Sequence, residues 1–267
     1  MLKGSFRRKE RLEIETPVPA PEHEIKKPTR NLGSPPRLVF NTVAIFIISQ
    51  LVAAFIAMLM LQVAHPNSRM GLDDSIAAQF AFVLIAEGLA AWLVIQIVRR
   101  RGLHLKAIGL GRPPRLKDLG PAITGFLIFY GLLIVAGVLI SSLSPDINNQ
   151  KQNLGFTDIK TQGDTVLAFI SLVILPPLAE ETLMRGYLYS GLRMIWNFVP
   201  ALLVTSLLFG LAHLEIGNGG PLVWGAAVDT FLLSVVLVYL REKTGALYAG
   251  MLVHMLNNLI AFFVVIK

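Results

Sequence analysis

The 267-residue chain contains no cysteine and few charged residues, and each absence limits what the protein can be. Without cysteine, the chain can form no disulfide, no thiol nucleophile and no cysteine-ligated metal site. Charged residues make up 15% of the chain, whereas a typical soluble domain has about 25%. No internal repeat is evident, which counts against the transporter folds that are built from repeats. What remains is a composition that is 54% hydrophobic.

The apolar residues fall into runs of about 20, the length that an α-helix needs to cross a hydrocarbon core of about 30 Å. We therefore predict an all-α fold, a polytopic transmembrane bundle of about seven (7–8) helices. The range reflects the fourth segment, which forms either one kinked span or two shorter pieces. The predicted spans are 38–64, 75–98, 119–143, 165–196, 199–214, 221–240 and 246–266.

Residues 1–37 hold nine Lys/Arg, five Glu and six Pro without an apolar stretch, so we expect no cleavable signal peptide there. We predict a flexible, basic, proline-rich cytoplasmic tail over 1–37 and a transmembrane domain over 38–267. The net charge of +7 is concentrated at the ends of the apolar runs. Such a distribution indicates that the basic residues orient the chain in the membrane and that the tail contacts anionic lipid. We expect no nucleic acid partner.

Loops rich in Lys and Arg stay on the cytoplasmic side of a membrane. The tail, the 99–118 loop, Arg193 and the 241–243 turn then share that side. We therefore expect a multi-pass integral protein of the cell (plasma) membrane, with a cytoplasmic N-terminus.

Charged groups in the fourth span need an explanation, because a charge at mid-bilayer costs about 2.5 to 17 kcal/mol. Glu181 and Arg185 are four residues apart and can pair on one helix face. Glu180 lies on the neighbouring face. Pro176-Pro177 predicts a break or kink, after which a new helix starts with both glutamates in its first turn.

Two later spans contain further polar groups, His213 in the fifth and His254 with Asn258 in the seventh. At a rise of about 1.5 Å per residue, Glu180, His213 and His254 lie about 24, 21 and 15 Å from the expected cytoplasmic ends of their helices. The shared depth predicts one site. A carboxylate beside an imidazole can activate water, and a second imidazole with an amide can stabilise an oxyanion.

A zinc site formed by Glu180, His213 and His254 is the alternative arrangement of the same residues. The sequence has no His-Glu-x-x-His, so the metal version lacks its usual local signature. We expect no cofactor, with zinc as the alternative.

Three motifs occur in order, Glu-Glu-x-x-x-Arg, Phe-x-x-x-His and His-x-x-x-Asn, each in an apolar segment. Together they resemble the CPBP (CAAX protease and bacteriocin-processing, Abi) family of intramembrane endopeptidases, similar to type II CAAX prenyl proteases. The resemblance covers about 165–266, the expected catalytic core. It implies a peptide hydrolase that acts on membrane-associated peptides or proteins through a glutamate-activated water.

The resemblance also implies a role for each motif residue. Glu180 is the expected base, acting with His213, while His254 and Asn258 stabilise the oxyanion. Glu181 and Arg185 are supporting residues, or simply a buried structural pair. Two other functions stay open, a non-catalytic immunity or scaffold protein on the same fold and a proton-coupled transporter. The transporter would also use Glu87 and Asp229, which we leave out of the site.

Overall fold

The computed structural model describes residues 31–67, 70–143, 155–156, 159–214 and 224–265. Over these ranges the chain forms seven long helical segments and no strand, which confirms the predicted all-α bundle. Short 3₁₀ turns occupy parts of the connections. The segments are α1 (Pro35–Ala64), α2 (Ile76–Arg100), α3 (Leu119–Leu143), α4 (Gln162–Arg193), α5 (Phe198–Ala212), α6 (Trp224–Thr244) and α7 (Tyr248–Val265).

Five of these helices, α1, α2, α3, α4 and α6, are long and apolar enough to cross a membrane, and α5 and α7 are shorter apolar helices. The outer helices expose large apolar side chains that would be costly in water. Phe40 and Phe55 of α1 are 71% and 70% exposed, and Ile134 of α3 is 66% exposed. Lipid is the natural environment for such faces. The protein is therefore an integral membrane protein.

The first helix starts earlier than the predicted boundary of the membrane domain. It begins at Pro35, and the buried side chain of Leu32 packs beside Gly191 near the end of α4. Proline is favoured in the first helical turn because its missing N–H would have no partner there. The rest of the predicted tail, residues 1–30, lies outside the described residues.

Helix α4 runs through the centre of the bundle. Every residue from Glu181 to Leu192 is buried, and the helix contacts α1, α2, α5 and α7. In a membrane protein such burial means that protein, rather than lipid, surrounds the polar side chains of this stretch. The fold thus supplies the shielded surroundings that its charges need.

The predicted start of a new helix after Pro176-Pro177 is wrong. The chain stays helical from Gln162 to Arg193, and π-type turns at Ile170–Ile174 and Thr182–Tyr189 flank the α-helical stretch Leu175–Glu181. The wider turn just before the prolines accommodates their missing donors without ending the helix. Both glutamates therefore lie at the end of an α-helical stretch, not in the first turn of a new helix.

Of the basic segments that we expected on one side of the membrane, the loop after α2, Arg193 and the 241–243 turn lie together at one end of the bundle. Arg193 of α4 pairs with Glu242 of α6 at 3.0 Å. Arg241 donates to the Ser190 hydroxyl at 3.0 Å and to the carbonyl of Ala107, in the loop after α2, at 3.4 Å. These contacts fix the ends of α4 and α6 against that loop.

Candidate active site

Glu181 and Arg185 form an ion pair within one turn of α4, as their spacing predicts. The guanidinium donates to Glu181 Oε1 at 2.8 Å, and the two side chains are 1% and 0% exposed. The guanidinium also lies over the ring of Phe209, with its central carbon 4.3 Å from the ring centroid. Lipid and water are excluded from this pair, so Arg185 holds the Glu181 carboxylate in one position.

His254 of α7 connects this pair to Glu180. Its Nδ1 lies 3.2 Å from Glu181 Oε1, and its Nε2 lies 3.8 Å from Glu180 Oε2. Gly250, one turn earlier on α7, permits the approach, because a Cβ there would lie only 3.2 Å from Glu181 Oε2. The order of contacts is therefore Arg185, Glu181, His254, Glu180.

These contacts define the tautomers of both histidines. The Glu181 carboxylate, paired with an arginine, can only accept a hydrogen bond, so Nδ1 of His254 must donate. Nδ1 of His213 lies 2.9 Å from the carbonyl oxygen of Phe209, which also can only accept. In the neutral form, each histidine therefore leaves Nε2 unprotonated and able to take a proton.

Phe209 packs between the two histidines. Its ring centroid is 4.6 Å from that of His213 and 5.8 Å from that of His254, the latter edge to face. The ring is 2% exposed. It thus fixes the separation of the imidazoles and covers the buried arginine with an apolar surface.

Asn258 makes a contact that the sequence reasoning missed. Its amide nitrogen donates to the carbonyl oxygen of Leu172 at 2.9 Å. In a helix that carbonyl would accept from the residue four or, in a π turn, five positions later, and those residues are Pro176 and Pro177, which lack the N–H. Asn258 therefore supplies the missing donor. The predicted oxyanion role of Asn258 would use its second amide hydrogen.

A cavity of about 400 Å³ lies between α1, α4 and α5. Glu180 and His213 both face it, and apolar side chains form most of its wall. Of the described residues, neither His254 nor Asn258 lines it. Part of the wall comes from α1, a helix in which we predicted no site residue. The residues that line the whole cavity include Thr42, Phe46, Gln50, Glu180, Leu183, Phe209 and His213.

Glu87, which we left out of the site, lies beside Glu180. The two residues line one narrow gap between α1, α2 and α4, together with Gln50. The available signal was an acid within an apolar span, but spacing along the chain cannot show which helix a residue on α2 will face. Asp229, the other acid left out, is exposed on α6 and lines neither the cavity nor the gap.

A zinc ion bound by Glu180, His213 and His254 finds no support in this geometry. Within the described ranges, no group of three or more His, Asp or Glu side chains is arranged to hold a metal ion. We therefore derive no step through a metal.

The fold and the site define a class, a helical integral membrane protein with a glutamate and two histidines grouped inside the bundle. Residues 162–260 match the family model described as type II CAAX prenyl endopeptidase Rce1-like. The chain is also similar to an uncharacterized 24.3 kDa protein of Escherichia coli, with 29% identity over 167 residues that cover 61% of this chain and 70% of the relative. No solved structure matched the chain.

The predicted resemblance to CAAX-protease-like membrane endopeptidases is therefore confirmed over residues 162–260. That family description names an endopeptidase, and the match covers less than half of this chain. The matched region includes α4, α5 and α7 as far as residue 260, and these segments carry all three motifs.

Proposed function

We propose that the protein is an intramembrane endopeptidase in which Glu180 activates water to hydrolyse a peptide bond of a membrane-associated substrate. One observation carries the proposal. Glu180 faces an apolar cavity of about 400 Å³ together with His213, and its Oε2 is buried with no hydrogen-bond partner among the described residues. A buried carboxylate oxygen beside a substrate-sized cavity is suited to receive a proton from water.

The reaction follows from these positions. Glu180 takes a proton from a water molecule, and the hydroxide oxygen forms a bond to the carbonyl carbon of the peptide. The carbon–nitrogen bond then breaks, and the proton on Glu180 passes to the departing amine. The products are a carboxylic acid and an amine, so atoms and charge balance without another reactant.

His254, whose Nε2 lies 3.8 Å from Glu180 Oε2, stabilises the oxygen that becomes negative during this step, while His213 assists Glu180 from the cavity wall. Because Nδ1 of each histidine donates to a fixed acceptor, Nε2 can donate only when the ring is protonated. A cationic imidazole beside the developing oxyanion provides both a hydrogen bond and an opposite charge. The second amide hydrogen of Asn258 is the proposed neutral donor.

The test compares cleavage of membrane-anchored peptides by wild type, Glu180→Gln and Glu242→Gln in detergent. The last variant makes the same chemical change in an ion pair on the bundle's end, outside the site. We expect Glu180→Gln to lose at least 100-fold in kcat, because the amide cannot take the proton, and Glu242→Gln to retain activity. Equal cleavage by wild type and Glu180→Gln would overturn the proposal.

The same assay with a chelator tests metal dependence, and we expect unchanged rates. The substrate itself is found by comparing cells that carry wild type with cells that carry Glu180→Gln. Membrane peptides that accumulate uncleaved only with the variant are the candidates. A cellular phenotype that needs the protein but survives Glu180→Gln would instead favour the non-catalytic immunity or scaffold function.

A further inference from the structure

The narrow gap beside Glu180 has the properties of a water site. Its volume is about 10 Å³, which is room for about one water molecule. Its polar side chains come from three helices, Ser49 and Gln50 of α1, Glu87 of α2 and Glu180 of α4. A buried water usually has two to four polar partners, and the gap offers that number.

Two of the residues that line this gap carry a buried oxygen with no hydrogen bond to the described residues. Ser49 is 1% exposed, and its Oγ has no partner among the described residues. Glu180 Oε2 is in the same condition. An unmade hydrogen bond costs about 1–3 kcal/mol, so two such residues on one gap favour a molecule bound there.

Glu87 connects this gap to a second cavity. That cavity, of about 300 Å³, lies between α2, α4 and α7, on a different side of α4 from the one that faces α1 and α5. Glu87 and Ala179 line both the gap and the second cavity. Leu110 and Tyr248 also line it, and they lie at the end of the bundle where the basic segments meet.

We propose that the water consumed by Glu180 is held in this gap by Glu87 and Ser49 and arrives through the α2–α4–α7 cavity, separately from the substrate. The inference rests on the proposed function, because it assumes that Glu180 consumes water. It explains how water reaches the base while a peptide fills the apolar cavity on the α1 and α5 side. Glu87 is then a positioning residue, which acts on the reaction through the water.

The structure offers a variant that blocks the route without removing a polar group. Gly88 lines the second cavity, and a Cβ added there meets no atom within 4 Å. Gly131 of α3 is equally open and is not among the described residues that line the gap or either cavity, so it provides a matched control. Both substitutions to leucine replace an exposed helical glycine and favour the helix.

We expect Gly88→Leu to lower kcat at least tenfold with KM within twofold of wild type, while Gly131→Leu changes neither. Blocking the route for water slows the chemical step and lowers kcat, whereas a substitution that distorted the substrate cavity would raise KM. Glu87→Leu should lower kcat in the same way, and Glu87→Gln, which can still hydrogen-bond to water, should retain more activity. Unchanged kcat in Gly88→Leu and Glu87→Leu would overturn the inference.

A second measurement separates this inference from the proposed function. An experimental map of the wild-type protein that resolves ordered water should show one in the gap, and Ser49→Val should displace it. If wild type cleaves peptides but its gap holds no water, the inference fails and the proposed function stands. If wild type cleaves nothing, the proposed function fails and the inference falls with it, whatever the map shows in the gap.

Discussion

Replacing Arg185 by methionine tests whether the buried ion pair determines the site's geometry. The guanidinium is fully buried, donates to Glu181 at 2.8 Å and lies 4.3 Å from the centroid of Phe209. Methionine fills much of the same volume but leaves the Glu181 carboxylate, which is 1% exposed, without a cationic partner. Removing one member of a buried pair costs about 3–5 kcal/mol, because the other charge stays buried and uncompensated.

The double variant Glu181→Gln/Arg185→Met removes both charges and serves as the control for lost packing. Neutralising a whole buried pair is often close to neutral, so we expect the double variant to recover at least half of the stability that Arg185→Met loses. The assay is equilibrium unfolding by denaturant of the detergent-solubilised proteins, followed by tryptophan fluorescence. Glu181→Gln alone completes the set. If Arg185→Met loses less than about 1 kcal/mol of unfolding free energy, or if the losses of Arg185→Met and Glu181→Gln simply add in the double variant, the pair does not act as described.

Two further predictions concern contacts that α7 and α6 make with α4. Asn258→Ala should lower the unfolding free energy by about 1–3 kcal/mol, because the Leu172 carbonyl would lose the donor that replaces the proline N–H. Denaturant unfolding measures this loss. A variant as stable as wild type would contradict the assigned contact. Glu242→Gln should lower the unfolding free energy by about 1 kcal/mol or less in the same assay, since its ion pair is partly exposed, with side chains 39% and 34% accessible. If Glu242→Gln lost as much unfolding free energy as Arg185→Met, burial would not determine how strongly an ion pair stabilises this protein.

Local features of the sequence were enough to predict the helices and the pairing within one helix. Runs of about 20 apolar residues predict membrane spans because the bilayer sets a length, and a helix repeats every 3.6 residues whatever surrounds it. The Glu181–Arg185 pair follows from that repeat alone. The effect of the two prolines on the helix was predicted less well. Their missing donors predict a break in an isolated helix, but in the bundle a wider turn and the Asn258 amide compensate for them.

The sequence by itself determined the class of protein, the helical spans and the motif residues from which to build a site. Only the tertiary structure decided which of them meet. Packing of α7 against α4 brings His254 between the two glutamates, and packing of α1 and α2 against α4 brings Gln50 and Glu87 to Glu180. The physical reason is that residue spacing fixes positions around one helix axis, while contacts between helices depend on how all seven pack. The pair of glutamates in α4 is thus visible in the sequence, but its surroundings are a property of the bundle.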